Sequence, residues 1–467
     1  MQSVLRWCFV AIPVLALLPR GSVSIEAQAV FAGVTALLSL AVIGFAQRPL
    51  YVMATLRNTV ALFLFLALLI GFQAYLPFPG AFADAAWAAA NSVTGGEGAV
   101  ISVAPADTIA SLLQISAPFL LFCTGLLIFR TDDDAVWAVG TLARAGGILA
   151  ALALLQYMSF PDTLLLWQKR FYLDSFTSTF VNRNTAATFL GLVILVLAGL
   201  IVDAVLRRRH RLALSLIMGQ RLATPERRKA WKLLFDVILL GLSTVGLLLT
   251  VSRAGTLSVF LALVLLLVLA AADREAGGEG LGVGRLPQRR AIRFLRIAGI
   301  VLGTTVVLVA FAGQVLLRAD VGGLSDPRFC IYPSILTAIG QNWLSGTGFG
   351  AFLQSFAAFR LPECGLYGVW ERAHSVYLEA MLGLGVAAVP VLATGLVLLS
   401  RILVSGLRAR RRLRIYPVIG IAILAMTMVH SALDFSLQLP GMALFFSAAM
   451  APIVTICLSR QISHNKA

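Results

Sequence analysis

Long apolar stretches separated by short polar or basic segments recur along the whole chain, near 8–19, 27–46, 59–76, 108–129, 135–158, 184–206, 233–251, 255–271, 297–317, 375–400, 415–432 and 440–459. Most approach the ~20 residues that carry a helix across a hydrocarbon layer. Irregular chain facing lipid leaves backbone groups unpaired, and no alternation of period two suggests a barrel. The pattern therefore predicts an all-α polytopic membrane protein of about 12 transmembrane helices. The first stretch follows Arg6 and has the look of a signal-peptide core, yet no small-residue cleavage site precedes Arg20 and Gly21, so it is read as a helix. Residues 1–467 are expected to form a single membrane domain that includes a periplasmic loop unit at 318–374.

Composition agrees with this reading, because 59% of the 467 residues are hydrophobic and 12% are charged. A soluble chain carries about a quarter charged residues. The formal charge of +16 would suggest a nucleic-acid partner in a soluble chain, but its distribution points elsewhere. Of the 37 Lys and Arg, 27 fall in alternate segments counted from the N-terminal one and 9 in the others, with Arg144 inside a stretch. This is the positive-inside pattern of a multi-pass protein with both termini cytoplasmic, and it implies no nucleic acid. The basic runs Arg207–Arg209 and Arg410–Arg412 fall on the inner side.

Three outer loops follow from that topology, near 77–107, 159–183 and 318–374. The first has no Lys or Arg and is read as a loose cover. In the second, Trp167, Lys169, Arg170, Phe171, Tyr172 and Phe176 precede Asn182, Arg183 and Asn184. Aromatic faces beside polar donors suit sugar rings; an interfacial aromatic belt with Asn182 or Asn184 as a helix cap is the equal alternative. In the third, Ile331, Ile335, Leu336 and Ile339 recur at helical spacing, as do Phe352, Phe356 and Phe359, which predicts amphipathic helices on the outer leaflet. The Gly346-Thr347-Gly348-Phe349-Gly350 segment imitates a nucleotide-binding loop but lacks a βαβ context and is read as a turn.

Arg253 in the tight outer turn Ser252–Gly255, Arg328 after Asp326-Pro327, and His374 before the tenth helix place two fixed cations and one titratable base on the same membrane face. Each alone reads more readily as an interfacial anchor. Together they suit a phosphate-rich group and a proton: Arg binds phosphate bidentately, and His accepts a proton near neutral pH. A lipid pyrophosphate glycoside attacked at its anomeric carbon by an acceptor hydroxyl has these needs.

The order of these parts resembles the O-antigen ligase and polysaccharide polymerase family of bacterial inner-membrane glycosyltransferases. The resemblance runs from Asn182-Arg183-Asn184 through Ser252–Gly255, Arg328 with Tyr332, Gly346–Phe352, and Ala373-His374-Ser375 with Tyr377-Leu378, to His430-Ser431, Asp434-Phe435 and Pro440. It implies glycan transfer from an undecaprenyl-pyrophosphate-linked oligosaccharide on the periplasmic face, with no metal and no cofactor. It assigns Arg253 and Arg328 to the pyrophosphate and His374 to the acceptor. Asn182, Arg183, Asn184, Tyr377, Glu379, His430 and Asp434 become candidate substrate-binding residues. Its partners would be the lipid bilayer, a flippase and a chain-length regulator. Family members usually carry Asn after the His and Glu nine residues beyond it, where this chain has Ser375 and Gly383; Glu379, one turn earlier, is the candidate replacement.

The tail from His430 to Phe435 favours a polymerase, with a ligase as the alternative. A secondary transporter fits less well, because the Gln47–Asn58 loop lacks the usual Gly, Asp and basic cluster. A metal-dependent cytoplasmic transferase would use Asp132, Asp133 and Asp134, which read more simply as a solvated charge run. Arg144 is a mid-membrane charge with no evident partner. Cys330 and Cys364 share the outer unit, in a compartment that oxidises thiols, and are the candidate disulfide pair.

Overall fold

The computed structural model describes residues 1–45, 49–77, 86–96, 98–207, 209–272, 327–364 and 370–459. The expected span at 297–317 and the start of the 318–374 unit lie outside these residues. Elsewhere each apolar stretch is a helix: α1 Gln2–Leu17, α2 Ile25–Phe45, α3 Met53–Tyr75, α5 Pro105–Ile128, α6 Asp132–Ser159, α7 Arg183–Leu206, α9 Thr224–Leu249, α10 Arg253–Ala272, α15 Ile415–Ser431 and α16 Pro440–Leu458. Shorter helices are α4 Ala86–Thr94, α8 His210–Ile217, α11 Pro327–Gln341 and α12 Phe352–Ala357. The expected span at 375–400 is divided into α13 Val376–Leu384 and α14 Ala388–Ala409. Gly385 breaks it at φ 58°, where a Cβ would stand 2.6 Å from both Gly346 N and Leu344 O.

Nine helices among the described residues are long and apolar enough to cross a membrane. The span Leu50–Tyr75 has a mean hydropathy of 1.9 with 6% of its apolar window buried in the protein, so its surface calls for lipid rather than water. By contrast, 89% of the Pro440–Leu458 window is buried, as expected of a helix that is apolar all round and central to its unit.

The chain divides into two compact units. The first comprises residues 1–138, 324–402 and 429–467. In it α5 packs against α2, α3 and α16. The loop segment has its own core of Ile331, Ile335, Ala338, Ile339, Phe352, Phe356, Ala373 and Leu382, while Leu336 points outward. The Cys330–Cys364 disulfide closes this segment, with Cα atoms 5.6 Å apart. The glycine segment is a turn docked on the protein. Gln73 donates to Ser345 O and Gly383 O at 2.8 Å each and accepts from Phe349 N at 3.1 Å.

The second unit comprises residues 139–323 and 403–428, with α7 packed between α9 and α10. Here Arg144 has a partner. Its Nε and Nη2 donate to the two Asp236 carboxylate oxygens at 2.7 and 2.8 Å, forming a bidentate pair between α6 and α9.

Candidate functional site

Six of the expected site residues lie in the first unit: Arg328, His374, Tyr377, Glu379, His430 and Asp434. Arg328, on the first turn of α11, donates through Nη1 to Leu433 O at 2.8 Å. Leu433 belongs to the turn between α15 and α16, which also carries Asp434, Phe435 and Ser436. The ring of Phe435 meets the His374 imidazole edge-on at 4.9 Å, and Trp370 meets it edge-on at 5.5 Å. His430, buried on the last turn of α15, lies within electrostatic reach of the Asp434 carboxylate and the Arg328 guanidinium. Asp434 is fully buried and accepts from the Ser436 hydroxyl.

His374 is half-buried and holds φ at 52°, in the left-handed region. A non-glycine residue there carries strain that its surroundings must hold. Three contacts do so. The Tyr332 hydroxyl donates to His374 O at 3.1 Å. Ser375 caps α13 by accepting from Leu378 N at 3.4 Å. Glu379, buried one turn into α13, accepts from Ala373 N at 2.9 Å and from Arg372 Nη1 at 3.0 Å. The Glu379 carboxylate is thus engaged in holding the backbone that precedes His374. Tyr377 stands half-buried on the first turn of the same helix.

Asn182, Arg183, Asn184 and Arg253 belong to the second unit. Asn182 is the N-cap of α7, its side chain accepting from Asn184 N at 2.7 Å. The Asn184 side-chain oxygen Oδ1 accepts from the Ser252 hydroxyl at 2.8 Å, and Ser252 Oγ accepts from Gly255 N at 3.3 Å in the first turn of α10. A Cβ on Gly255 would stand 2.5 Å from Ala187 Cβ, so glycine is what lets α10 start against α7. This knot fixes the base of Arg253, whose side chain is exposed.

The aromatic loop is less open than its composition suggests. Thr163–Leu164 and Trp167–Gln168 form a two-stranded ladder. Phe176 is buried as core, whereas Phe171 is exposed. Arg183 sits 5.3 Å from the centre of the Tyr172 ring. Lys169 folds back to donate to Ser175 O at 2.9 Å over the Tyr157 ring. Burial holds its ammonium below the ordinary lysine range, against the opposing pull of Asp162 and Asp174.

Two of the three carboxylates of the Asp132–Asp134 run are engaged by the protein: Asp134 pairs with Arg6 at 2.5 Å and Asp132 accepts from the Ser459 hydroxyl at 2.7 Å. Among the described residues no group of three or more His, Cys, Asp or Glu is placed to hold a metal ion. Sequence reasoning passed over Arg372, Gln73 and Asp236. Gln73 and Asp236 did carry a signal, each being a strongly polar residue inside an apolar stretch; Arg372 carried none beyond its nearness to His374.

No curated protein matches the chain. A match to a family described as O-antigen ligase covers residues 237–393, which hold Arg253, Arg328, His374, Tyr377 and Glu379 but neither the Asn182 cap nor the His430 turn. Over those residues the chain is similar to the O-antigen ligase family, which supports a membrane glycosyl-transferring enzyme.

Proposed function

We propose that the protein transfers glycan from an undecaprenyl-pyrophosphate donor on the periplasmic face of a bacterial inner membrane, and that it acts as a polysaccharide polymerase. The observation that carries this reading is the strained His374, set between two aromatic edges beside the turn that Arg328 grips. In the proposed step an acceptor hydroxyl attacks the anomeric carbon. Its proton passes to His374, the carbon–oxygen bond to the pyrophosphate breaks, and Arg328 stabilises the charge growing on the leaving group. The chemistry asks Arg253 to serve the same pyrophosphate, a demand that rests on the sequence resemblance. Asn182, Arg183, Asn184, Tyr377, His430 and Asp434 are proposed to shape the glycan and lipid path. A flippase supplying the donor and a chain-length regulator are the proposed partners.

The test is a deletion strain complemented with His374→Ala, its surface polysaccharide resolved on a gel and the protein detected in the membrane. Single repeat units are expected; full polymer would overturn the mechanism. Unattached long chains would identify a ligase, the reading favoured by the description of the matching family. Arg253→Lys and Arg328→Lys are also expected to fail, since a point charge does not reproduce bidentate phosphate contacts. For the orientation, cysteines introduced at Ala357 and Ala223 are expected to react from opposite sides of the membrane. Labelling of both from one side would refute the topology.

A further inference from the structure

A cavity of about 270 Å³ lies in the second unit where α7, α10 and α15 end or begin. It is at the far end of α7 from the Asn182 cap. Arg207, Arg411, Arg412 and Arg414 line it with a single carboxylate, Asp203. So many guanidinium groups around one space repel one another unless an anion joins them. Two are held in place by the protein. Arg207 makes bonds of 2.8 Å through Nε to both Asp203 oxygens and a bond of 2.5 Å to Arg412 O, and Arg414 donates to Leu407 O at 2.6 Å. Arg411 and Arg412 are exposed, and among the described residues no carboxylate pairs with either. Their forks are left to the cavity, and bidentate recognition of phosphate is what such forks do best.

The remaining wall decides the source of the phosphate. Leu206, Ala270, Ile415 and Val418 complete the lining, and each belongs to, or directly continues, a helix whose apolar surface runs into the bilayer. A cationic floor meeting an apolar wall matches a molecule with an anionic head and hydrocarbon tails. A free phosphate would have no use for that wall. The volume is slightly below the ~300 Å³ at which small-molecule pockets begin, which suits a headgroup whose chains stay in the membrane. The basic segments concerned are those the charge pattern assigns to the cytoplasmic side, where anionic lipid collects.

We propose that this cavity binds the headgroup of an anionic phospholipid, apart from the site of glycan transfer. The full chain would be reconstituted in nanodiscs of phosphatidylglycerol and phosphatidylcholine, released, and its retained lipid measured by native mass spectrometry. Wild type is expected to keep phosphatidylglycerol about tenfold over its bulk ratio, and Arg411→Gln with Arg412→Gln to return that ratio to bulk. Should the double variant not insert, Arg412→Gln alone serves, with a partial loss expected. Retention at the bulk ratio by wild type, or unchanged enrichment in the variant, overturns the proposal. Displacement of the lipid by millimolar inorganic phosphate overturns it as well, in favour of a free-phosphate site.

Discussion

Replacing Arg144 with Leu tests whether the α6–α9 ion pair is a structural element of the second unit. The pair is bidentate, and its side chains are 18% and 6% exposed for Arg144 and Asp236. Asp236 is therefore the partner that suffers, since its carboxylate would be left buried with no cation. Removing one member of a buried pair costs about 3 to 5 kcal/mol, whereas replacing both with apolar residues removes both desolvation penalties and is close to neutral or stabilising. Arg144→Leu is thus expected to destabilise by about 3 to 5 kcal/mol, and Arg144→Leu with Asp236→Leu to recover to within about 1 kcal/mol of wild type. Arg144→Lys should fall between, because it keeps the charge and loses the fork. Gly140 leaves the room this needs, as a Cβ there would stand 2.7 Å from Arg144 Nη1. Denaturant unfolding of these variants and of Asp236→Leu, purified in detergent and followed by tryptophan fluorescence, gives all four corners of the cycle. Single changes that simply add to give the double, or an Arg144→Leu cost below about 1 kcal/mol, would show that Arg144 draws nothing from Asp236.

Gln73→Leu removes three hydrogen bonds to the glycine turn and to the end of α13. Gly383 O keeps the Gly348 N donor, so Ser345 O and Phe349 N are the two groups orphaned; the cost is expected to be about 2 to 4 kcal/mol, at about 1 to 2 kcal/mol for each, and a smaller loss would show that the turn docks by other contacts. Glu379→Gln keeps an acceptor for Ala373 N but gives up the charge that holds Arg372, so glycan transfer should fall about tenfold, a barrier change of about 1.4 kcal/mol. Loss as complete as in His374→Ala would give Glu379 a direct role in the reaction, and no loss would remove it from the argument. Cys330→Ala with Cys364→Ala is expected to lower stability by about 3 to 4 kcal/mol through the freed loop, read as earlier proteolysis of the 327–364 segment; resistance equal to wild type would contradict it.

The apolar stretches were readable as helices because a bilayer accepts little else, and chain composition alone fixes how much of it must be dry. The Asn182 cap, the glycine turn and the Cys330–Cys364 pair were also legible, each resting on local geometry or on a shared compartment. What the linear order left open were choices made by neighbours distant in sequence. The sequence set Phe176 among the aromatics of an outer loop and offered Glu379 as a substrate-binding candidate, but the fold buries both, one as core and one behind His374. Arg144 found Asp236 across 92 residues, and Arg328 found the Leu433 carbonyl across 105. Periodicity records which face of a helix is apolar; which helix meets that face, and therefore which buried charge is answered and which ring stands beside the imidazole, is decided when the whole set packs.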